Sequence, residues 1–587
     1  MQAESTIQTA IHKIKSNKGS MTPGSDNKTI RDILEKDYFT VIRMVHEGLN
    51  NYQPLPVRRV WIDKPGKKEK RPLGIPAVVD RVIQECVRTV IEPILEAQFF
   101  EHSYGFRPMR GAHQAMERLN FLLHNTGNHW VVEGDISKFF DNVNHRILIK
   151  RLHNMGIHDK RVLMIIKAML EAGIIGELSR NELGTPQGGI ISPLLANVYL
   201  DSFDKWIARE WEDKKTKSSY GRKSEKFRAL RKRSNIKIAY LVRYADDWVI
   251  ITNSKANAEK IKYRAGKYLN ETLKISLSEE KTLITNVTKK PLNFLGFTVK
   301  LEKGKGRYGY QTITKPNTGN LIRKVEQIKS AMKLILDTKN TKQVVDRINK
   351  VNAIIMGVIN YYRYASHVNA VVKDEAFRLK WFAYSRLKRK FRRSKLVRWI
   401  PAKESANMRE QHKNYETLIP ALEYKDMWIG VTSLGFAKWD KDTNKVKDQK
   451  ETPFTPLGRE IRRRNTGKKP LTARADELLS LHLSKAIALD LNKNKIYNFE
   501  YFLNRAYAFN RDKGNCKICK CYLKPQDVNI HHNKPKLPLD RVNKVMNLSS
   551  LCISCHWKIH DGKDYTQLGK TIWNKITKYR NMLTCTE

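Results

Sequence analysis

Two short apolar runs, Leu241-Val242 and Val249-Ile250-Ile251, flank the four residues Tyr244-Ala245-Asp246-Asp247. Such a pattern predicts two strands joined by a tight turn that carries paired carboxylates. A third strand-like run, Val131-Val132-Glu133-Gly134, ends on Asp135. Helical spacing predicts a short helix through Ile7, Ile11 and Ile14, and a longer one through Ile354, Ile355, Val358, Ile359 and Tyr362. Past Asp141 the periodic Ile147, Leu148 and Leu152 predict another helix, with Asp141 at its N-cap. Strands in one stretch and helices in others place the chain in the α+β class.

Three carboxylates at the ends of neighbouring strands repel one another unless cations hold them. That need points to a two-metal phosphoryl-transfer site, with Mg²⁺ ions roughly 3.5–4 Å apart, and all-oxygen ligands suit Mg²⁺. The competing reading of Asp246-Asp247 is an ordinary hydrophilic turn, where Asp is favoured for its bonds to the backbone. The C-terminus carries a second chemistry. Cys516-x2-Cys519 and Cys552-x2-Cys555 bracket His531-His532, Asn547, His556 and His560. Two such pairs read as a structural Zn²⁺ site rather than as disulfides; Cys521 is an alternate ligand, Cys86 is expected in a helix core and Cys585 in a loose tail. His556 and His560 are four apart, so they share one helical face and can bind one ion.

The formal charge is +51, from 110 Lys and Arg against 59 Asp and Glu. A surface this basic binds polynucleotides with strong salt dependence. No apolar run reaches the roughly 18 residues needed to span a bilayer and no secretory signal is visible, so the expectation is a cytoplasmic, nucleoid-associated protein of bacterial type with no membrane partner. Residues 205 to 237 hold 13 Lys or Arg and four acids. Ala376 to Arg398 hold ten Lys or Arg and no acid, interleaved with Phe377, Trp381, Phe382, Tyr384 and Phe391. One amphipathic helix there is expected to bury its ring face and offer its charged face to RNA.

The ordered motifs resemble a reverse transcriptase of the group II intron type. They are Lys15-Ser-Asn-Lys-Gly19 with Pro23-Gly24-Ser-Asp26; Lys64-Pro65 and Arg71-Pro-Leu-Gly-Ile-Pro76 with Asp80-Arg81; Tyr104-Gly-Phe-Arg107-Pro108; and Gly134-Asp135 to Phe140-Asp141. After these come Gly184-Thr-Pro-Gln187-Gly-Gly189, Ser192 to Asn197, the Asp246-Asp247 turn, Leu277-Ser-Glu-Glu-Lys281-Thr282 and Phe294-Leu-Gly296-Phe297. The resemblance implies a right-hand polymerase. Asp135, its neighbour Ile136, Asp246 and Asp247 would hold Mg²⁺; Lys64 and Arg71 would contact the incoming triphosphate, Gln187 would line the nucleotide pocket, and Phe140 would be the gate against a ribose 2′-hydroxyl. One of Phe139 and Phe140 is expected in the core. Gly188 and Gly189 would let the backbone approach a nucleotide or template closely.

The Cys and His constellation resembles an HNH endonuclease of the ββα-metal type. By that likeness His531, His556 and His560 hold the catalytic ion, His532 is the general base and Asn547 braces the loop. Three imidazoles favour a transition metal whereas family members commonly use Mg²⁺; a purely structural zinc ribbon is the alternative. The expected domains are fingers and palm over 1–305, a helical thumb or maturase domain X over 306–425, a DNA-binding region over 426–510 and the zinc-containing endonuclease over 511–587. The expected partners are intron RNA, target DNA and deoxynucleoside triphosphates, and the implied activities are reverse transcription, splicing assistance and nicking of the DNA strand that primes synthesis in retrohoming. Two other readings are a host-domesticated or defence polymerase with an attached nuclease, and a splicing factor whose enzyme sites have decayed. The residues before Lys15 are few, so the N-terminal extension by which relatives contact intron RNA is expected to be short.

Overall fold

The structure, a computed structural model, describes residues 1–63, 70–175, 183–185, 188–306, 308–392, 394–440, 447–467, 496–524 and 528–585. It divides into two compact units that interleave along the chain: residues 1–99, 138–199 and 450–587 form one, and residues 100–137 and 200–449 the other. The stretch expected to hold fingers and palm, 1–305, is therefore shared between both.

In the first unit the helix Glu4–Ser16 lays Ile7, Ile11 and Ile14, each at most 2% exposed, against the long helix Val78–Glu96. Burying three such side chains contributes about 1.5–3 kcal/mol each. Asp37 caps the helix Tyr38–Asn50 by accepting from Thr40 N at 2.9 Å. A hairpin, Arg58–Asp63 with Lys70–Ile75, pairs antiparallel from Arg58↔Ile75 to Asp63↔Lys70. The C-terminal part has the helix Phe499–Arg511, the hairpin Val528–His532 with Leu548–Cys552, and the helices Ile553–His560 and Lys570–Thr584. The helix after Asp141 runs His145–Asn154, but Asn144 caps it, its side chain accepting from Ile147 N at 3.1 Å. Asp141 instead closes a short 3₁₀ turn, Phe139–Asp141.

In the second unit four antiparallel strands lie in the order Tyr240–Tyr244, Asp247–Thr252, Trp130–Gly134, Leu283–Asn286. Their fully buried Val131, Val132, Leu241, Val242, Val249, Ile250 and Ile251 form the core of the sheet. Three strands over Leu292–Pro316 make a second sheet, and the helices Thr318–Lys333, Thr341–Tyr362 and Val368–Lys390 follow. The helical expectation for 306–425 covers only part of what is present. Val397–Pro401, Leu418–Tyr424 and Met427–Gly430 form a further antiparallel sheet, running into the stretch expected to bind DNA. Its hairpin turns on Lys425 and Asp426, both at positive φ (51° and 58°), the I′ geometry that matches strand twist. Asn352, on the helix Thr341–Tyr362, latches this sheet by donating to Gly430 O at 2.8 Å and accepting from Thr432 N at 2.8 Å.

Glu117 on the helix Ala112–Thr126 accepts from the buried Tyr364 hydroxyl at 3.1 Å, and burial pushes its carboxyl from 4.5 up to about 7. A carboxyl raised on folding contributes stability below the unfolded value, lost as pH climbs through the folded one. Glu117→Gln should therefore flatten the dependence of the urea midpoint on pH between about 5 and 8; an unaltered slope would show that this carboxyl does not couple to folding.

Candidate active sites

The hairpin over residues 240–252 places Tyr244 opposite Asp247, leaving Ala245 and Asp246 as the two turn residues. Ala245 has φ 58° and Asp246 is not at positive φ, so the turn is of type II′ with a non-glycine residue in its strained first position. Two groups hold Ala245 there. A Cβ on Gly105 would lie 2.2 Å from Ala245 N, so only glycine lets that backbone come so close. On the other side the Arg243 Nη1 donates to Ala245 O at 2.7 Å. The same guanidinium forks onto Asp204, Nε to Oδ1 at 2.7 Å and Nη2 to Oδ2 at 2.6 Å, and the two side chains are 1% and 0% exposed. Sequence reading passed over both residues, because a lone Arg in a strand and a lone Asp in a helix carry no local sign of each other.

The neighbouring strand brings in the third carboxylate. The ladder between the two strands ends with Gly134 opposite Trp248, so Asp135 follows that last pair on one strand and Asp247 precedes it on the other. The segment after it is fastened by Ser278 N to Asp135 O and Ser137 N to Ser276 O, both 2.9 Å. Lys281, on the loop this creates, holds its Nζ 2.6 Å from Asp135 Oδ2. Asp246 is half-buried and Asp247 exposed. Ile136 is buried at its side chain, so a backbone carbonyl is the donor it has to offer. Asp135, Asp246 and Asp247 offer oxygen donors, the kind Mg²⁺ takes, but among the described residues they are not one of the groups whose ligand atoms lie within 4.8 Å of one another.

In the first unit Phe139 is the core ring, 3% exposed and edge-on to Tyr199 at 6.2 Å. Phe140 instead lines a cavity of about 300 Å³ with Arg59, Trp61, Pro72, Gly74 and Leu183 to Thr185. Gly188, φ 115°, approaches protein: a Cβ there would lie 2.7 Å from Gly74 O and from Leu73 Cδ1. Arg71 sits exposed on the hairpin strand, opposite Ile62. Lys64 and Gln187 lie outside the described residues.

In the C-terminal hairpin His531 pairs with Ser549 and His532 with Leu548, and successive residues of a strand point to opposite faces. His531 meets His556 and His560, with ring centroids 5.3 and 5.2 Å away. One ring nitrogen of each lies within 4.8 Å of the others. Burial, with His556 and His560 close by, lowers His531 to about 3, which leaves its ring neutral and able to ligate. His532 lies on the opposite face of the strand from His531. It is 5% exposed, its Nε2 lies 2.7 Å from Asn543 Oδ1, and its ring stacks on Tyr501 at 4.9 Å. The bond from Nε2 to the Asn543 oxygen fixes the ring's orientation and tautomer, leaving Nδ1 as its acceptor nitrogen. Asn547 ties its loop together, accepting from Lys534 N at 2.9 Å and donating to Val542 O at 2.8 Å.

The Sγ atoms of Cys516, Cys519, Cys552 and Cys555 all lie within 4.8 Å of one another. Tetrahedral Zn–S bonds of about 2.3 Å put sulfurs about 3.8 Å apart, and Cys519 and Cys552 are 3.9 Å apart. The donor set thus fits zinc. Cys521 Sγ lies 3.3 Å from Cys519 Sγ, a fifth thiol at the rim.

On the helix Val368–Lys390 the buried residues are Val368, Val372, Ala376, Leu379, Ala383 and Leu387. Phe377 and Trp381 are 60% and 50% exposed, so these rings share the basic surface instead of facing the core. Tyr384 stacks on Trp399 at 4.9 Å and Trp381 meets it edge-on at 5.1 Å. In the expected DNA-binding region the helix Pro456–Thr466 carries Arg459, Arg462, Arg463 and Arg464, and Lys468, Lys469 and Arg474 lie outside the described residues. No helix among the described residues is long and apolar enough to cross a membrane.

A family model described as "Reverse transcriptase (RNA-dependent DNA polymerase)" matches residues 62–299. The chain is 32% identical over 434 residues to the group II intron-encoded protein LtrA of Lactococcus lactis subsp. cremoris, covering 64% of this chain and 70% of that one. It is 37% identical over 311 residues to protein YkfC of Escherichia coli, covering 50% of this chain and 79% of that one. With nuclear intron maturase 2, mitochondrial, of Arabidopsis thaliana it shares 30% identity over 178 residues, 23% of this chain and 24% of that one.

Proposed function

The chain belongs to the group II intron-encoded reverse transcriptases and maturases, and from that membership we propose that it copies intron RNA into DNA at Asp135, Asp246 and Asp247, and nicks duplex DNA at His531, His556 and His560 to make the primer for retrohoming. The observation that supports the polymerase reading is the strand register, whose last pair, Gly134 with Trp248, is flanked by Asp135 on one strand and Asp247 on the other.

In this reading Asp135, Asp246 and Asp247, with the Ile136 carbonyl, hold Mg²⁺, which when bound supplies Lewis acidity at the primer hydroxyl and the triphosphate. The Lys281 ammonium, beside Asp135, offsets part of the carboxylate repulsion. Phe140 closes the cavity floor against a 2′-hydroxyl, which selects deoxynucleotides. Arg71 offers the triphosphate a bidentate fork; by the family resemblance Lys64 would add a point charge and Gln187 would contact the nucleotide. Phe377 and Trp381 stack on unpaired RNA bases while Lys373, Arg378 and Lys380 neutralise phosphates, giving residues 306–425 the maturase role. The arginines of 459–464 serve target DNA in the same way. The four cysteines hold zinc as a staple, and the histidine trio holds the divalent ion of an HNH-type centre, which supplies hydroxide near neutral pH.

The test uses full-length protein with its intron RNA, measuring primer extension on an RNA template and strand cleavage of a labelled target duplex. His560→Ala should lower cleavage by more than the about 10–100-fold lost with outer-shell partners of metals, and leave extension within about twofold. Loss of both activities together would overturn separate sites.

A further inference from the structure

The short helix that opens the chain, whose last turn begins the first of the polymerase-like motifs at Lys15, is tightly engaged with the C-terminal part. His12 stacks on Tyr507, ring centroids 4.4 Å apart and planes 17° from parallel. Lys15 Nζ lies 2.9 Å from Glu500 Oε1 and donates to Asn504 Oδ1 at 3.0 Å. Glu500 is 4% exposed at its side chain and is shared with Lys544 Nζ at 2.8 Å. From the helix Tyr38–Asn50, Tyr38, 1% exposed, stacks on Phe499 at 5.3 Å and meets Phe502 edge-on at 5.5 Å. The backbone joins in, since Phe499 N donates to Lys36 O at 2.8 Å. Tyr507, Glu500, Asn504, Phe499 and Phe502 all belong to the helix Phe499–Arg511, so that helix is gripped along its length.

The other face of this helix builds the histidine hairpin. Tyr501 stacks under His532, and its hydroxyl donates to Ile530 O at 2.8 Å. Asn504 spans both sides. Its oxygen takes the Lys15 ammonium, while its Nδ2 donates to Asn543 O at 2.6 Å. Asn543, 0% exposed, in turn gives its side-chain oxygen to His532 Nε2 at 2.7 Å and donates to Asn498 Oδ1 at 2.9 Å. Four groups in line, Lys15, Asn504, Asn543 and His532, connect the first helix to the residue next to the metal-facing His531. A buried polar chain of this kind specifies one arrangement when every member is satisfied, and costs most when one is removed.

We propose that the helices Glu4–Ser16 and Tyr38–Asn50 are the seat on which the nuclease centre is assembled, with Lys15 and Tyr38 as positioning residues for DNA cleavage. This rests on the nuclease reading given above. Deoxyribonuclease activity then depends on the N-terminal helices although none of their side chains is near the histidine trio in sequence, and the nuclease is ordered before DNA arrives.

Full-length Lys15→Glu sets a second carboxylate against buried Glu500. Cleavage of the target duplex should fall about tenfold, within the range of couplings carried through packed networks; primer extension should stay within about twofold, and trypsin should release the C-terminal part sooner. In K15E with E500K the opposite charges face each other again while the half-exposed Lys544 turns to water, and both cleavage and protease resistance should return to within about threefold of the parent. Parental cleavage and protease resistance in K15E overturn the proposal. So does an equal loss of extension, or a double variant no better than the single one. If the parent protein cleaves no duplex while the protease results run as expected, the seat stands and the nuclease activity falls.

Discussion

Asp246→Asn is expected to lower primer extension by about three orders of magnitude, because an amide withdraws one anionic ligand from the site, and a loss of about 4 kcal/mol in transition-state stabilisation equals about 10³-fold. The turn itself should survive. Asn is as well suited as Asp to a tight turn, and the strain is borne at Ala245, which Arg243 and Gly105 hold from either side. The melting temperature and the affinity for intron RNA should therefore match the parent, and splicing assistance, which needs RNA contacts and no carboxylate at this turn, should persist. Extension at more than a tenth of the parental rate would mean that the copying chemistry lies elsewhere.

Arg243→Met should be the most destabilising single change near the turn. It strands Asp204 as an unpaired carboxylate with 0% of its side chain exposed, and breaking a buried pair by removing one partner costs about 3–5 kcal/mol. Adding Asp204→Asn removes the stranded charge and should restore most of the lost urea midpoint. Extension should nonetheless stay about tenfold low, the effect expected when an outer partner no longer orients a metal site, since Ala245 O still lacks its donor. A double variant that regains both stability and full extension would assign Arg243 to folding alone.

Much of the four-stranded sheet was legible because its signals are local. Apolar runs on both sides of Tyr244 to Asp247 specify a hairpin whatever surrounds it, and the run into Asp135 ends where the chain turns polar. The cysteine pairs and the His556/His560 spacing were legible for the same reason, each being a helix or knuckle pattern a few residues long. The helical wheel could have excluded Phe377 and Trp381 from the core, because Ala376, Leu379, Ala383 and Leu387 already fill the buried face. The sheet over 397–430 was missed through its turn: Lys425-Asp426 lacks the Asn-Gly or Asp-Gly signature usual for two residues at positive φ.

From residue order alone came the chemistry each segment can offer: carboxylates at strand ends, thiols and imidazoles at ligand spacing, and a basic surface for polynucleotides. Folding decided which of these meet. The strand Trp130–Gly134 inserts between Asp247–Thr252 and Leu283–Asn286, Arg243 finds Asp204, and Lys15 reaches Glu500, none of which has a local cause. Such pairings are selected by the burial they jointly permit, and burial is a property of the assembled core that no short stretch of chain contains.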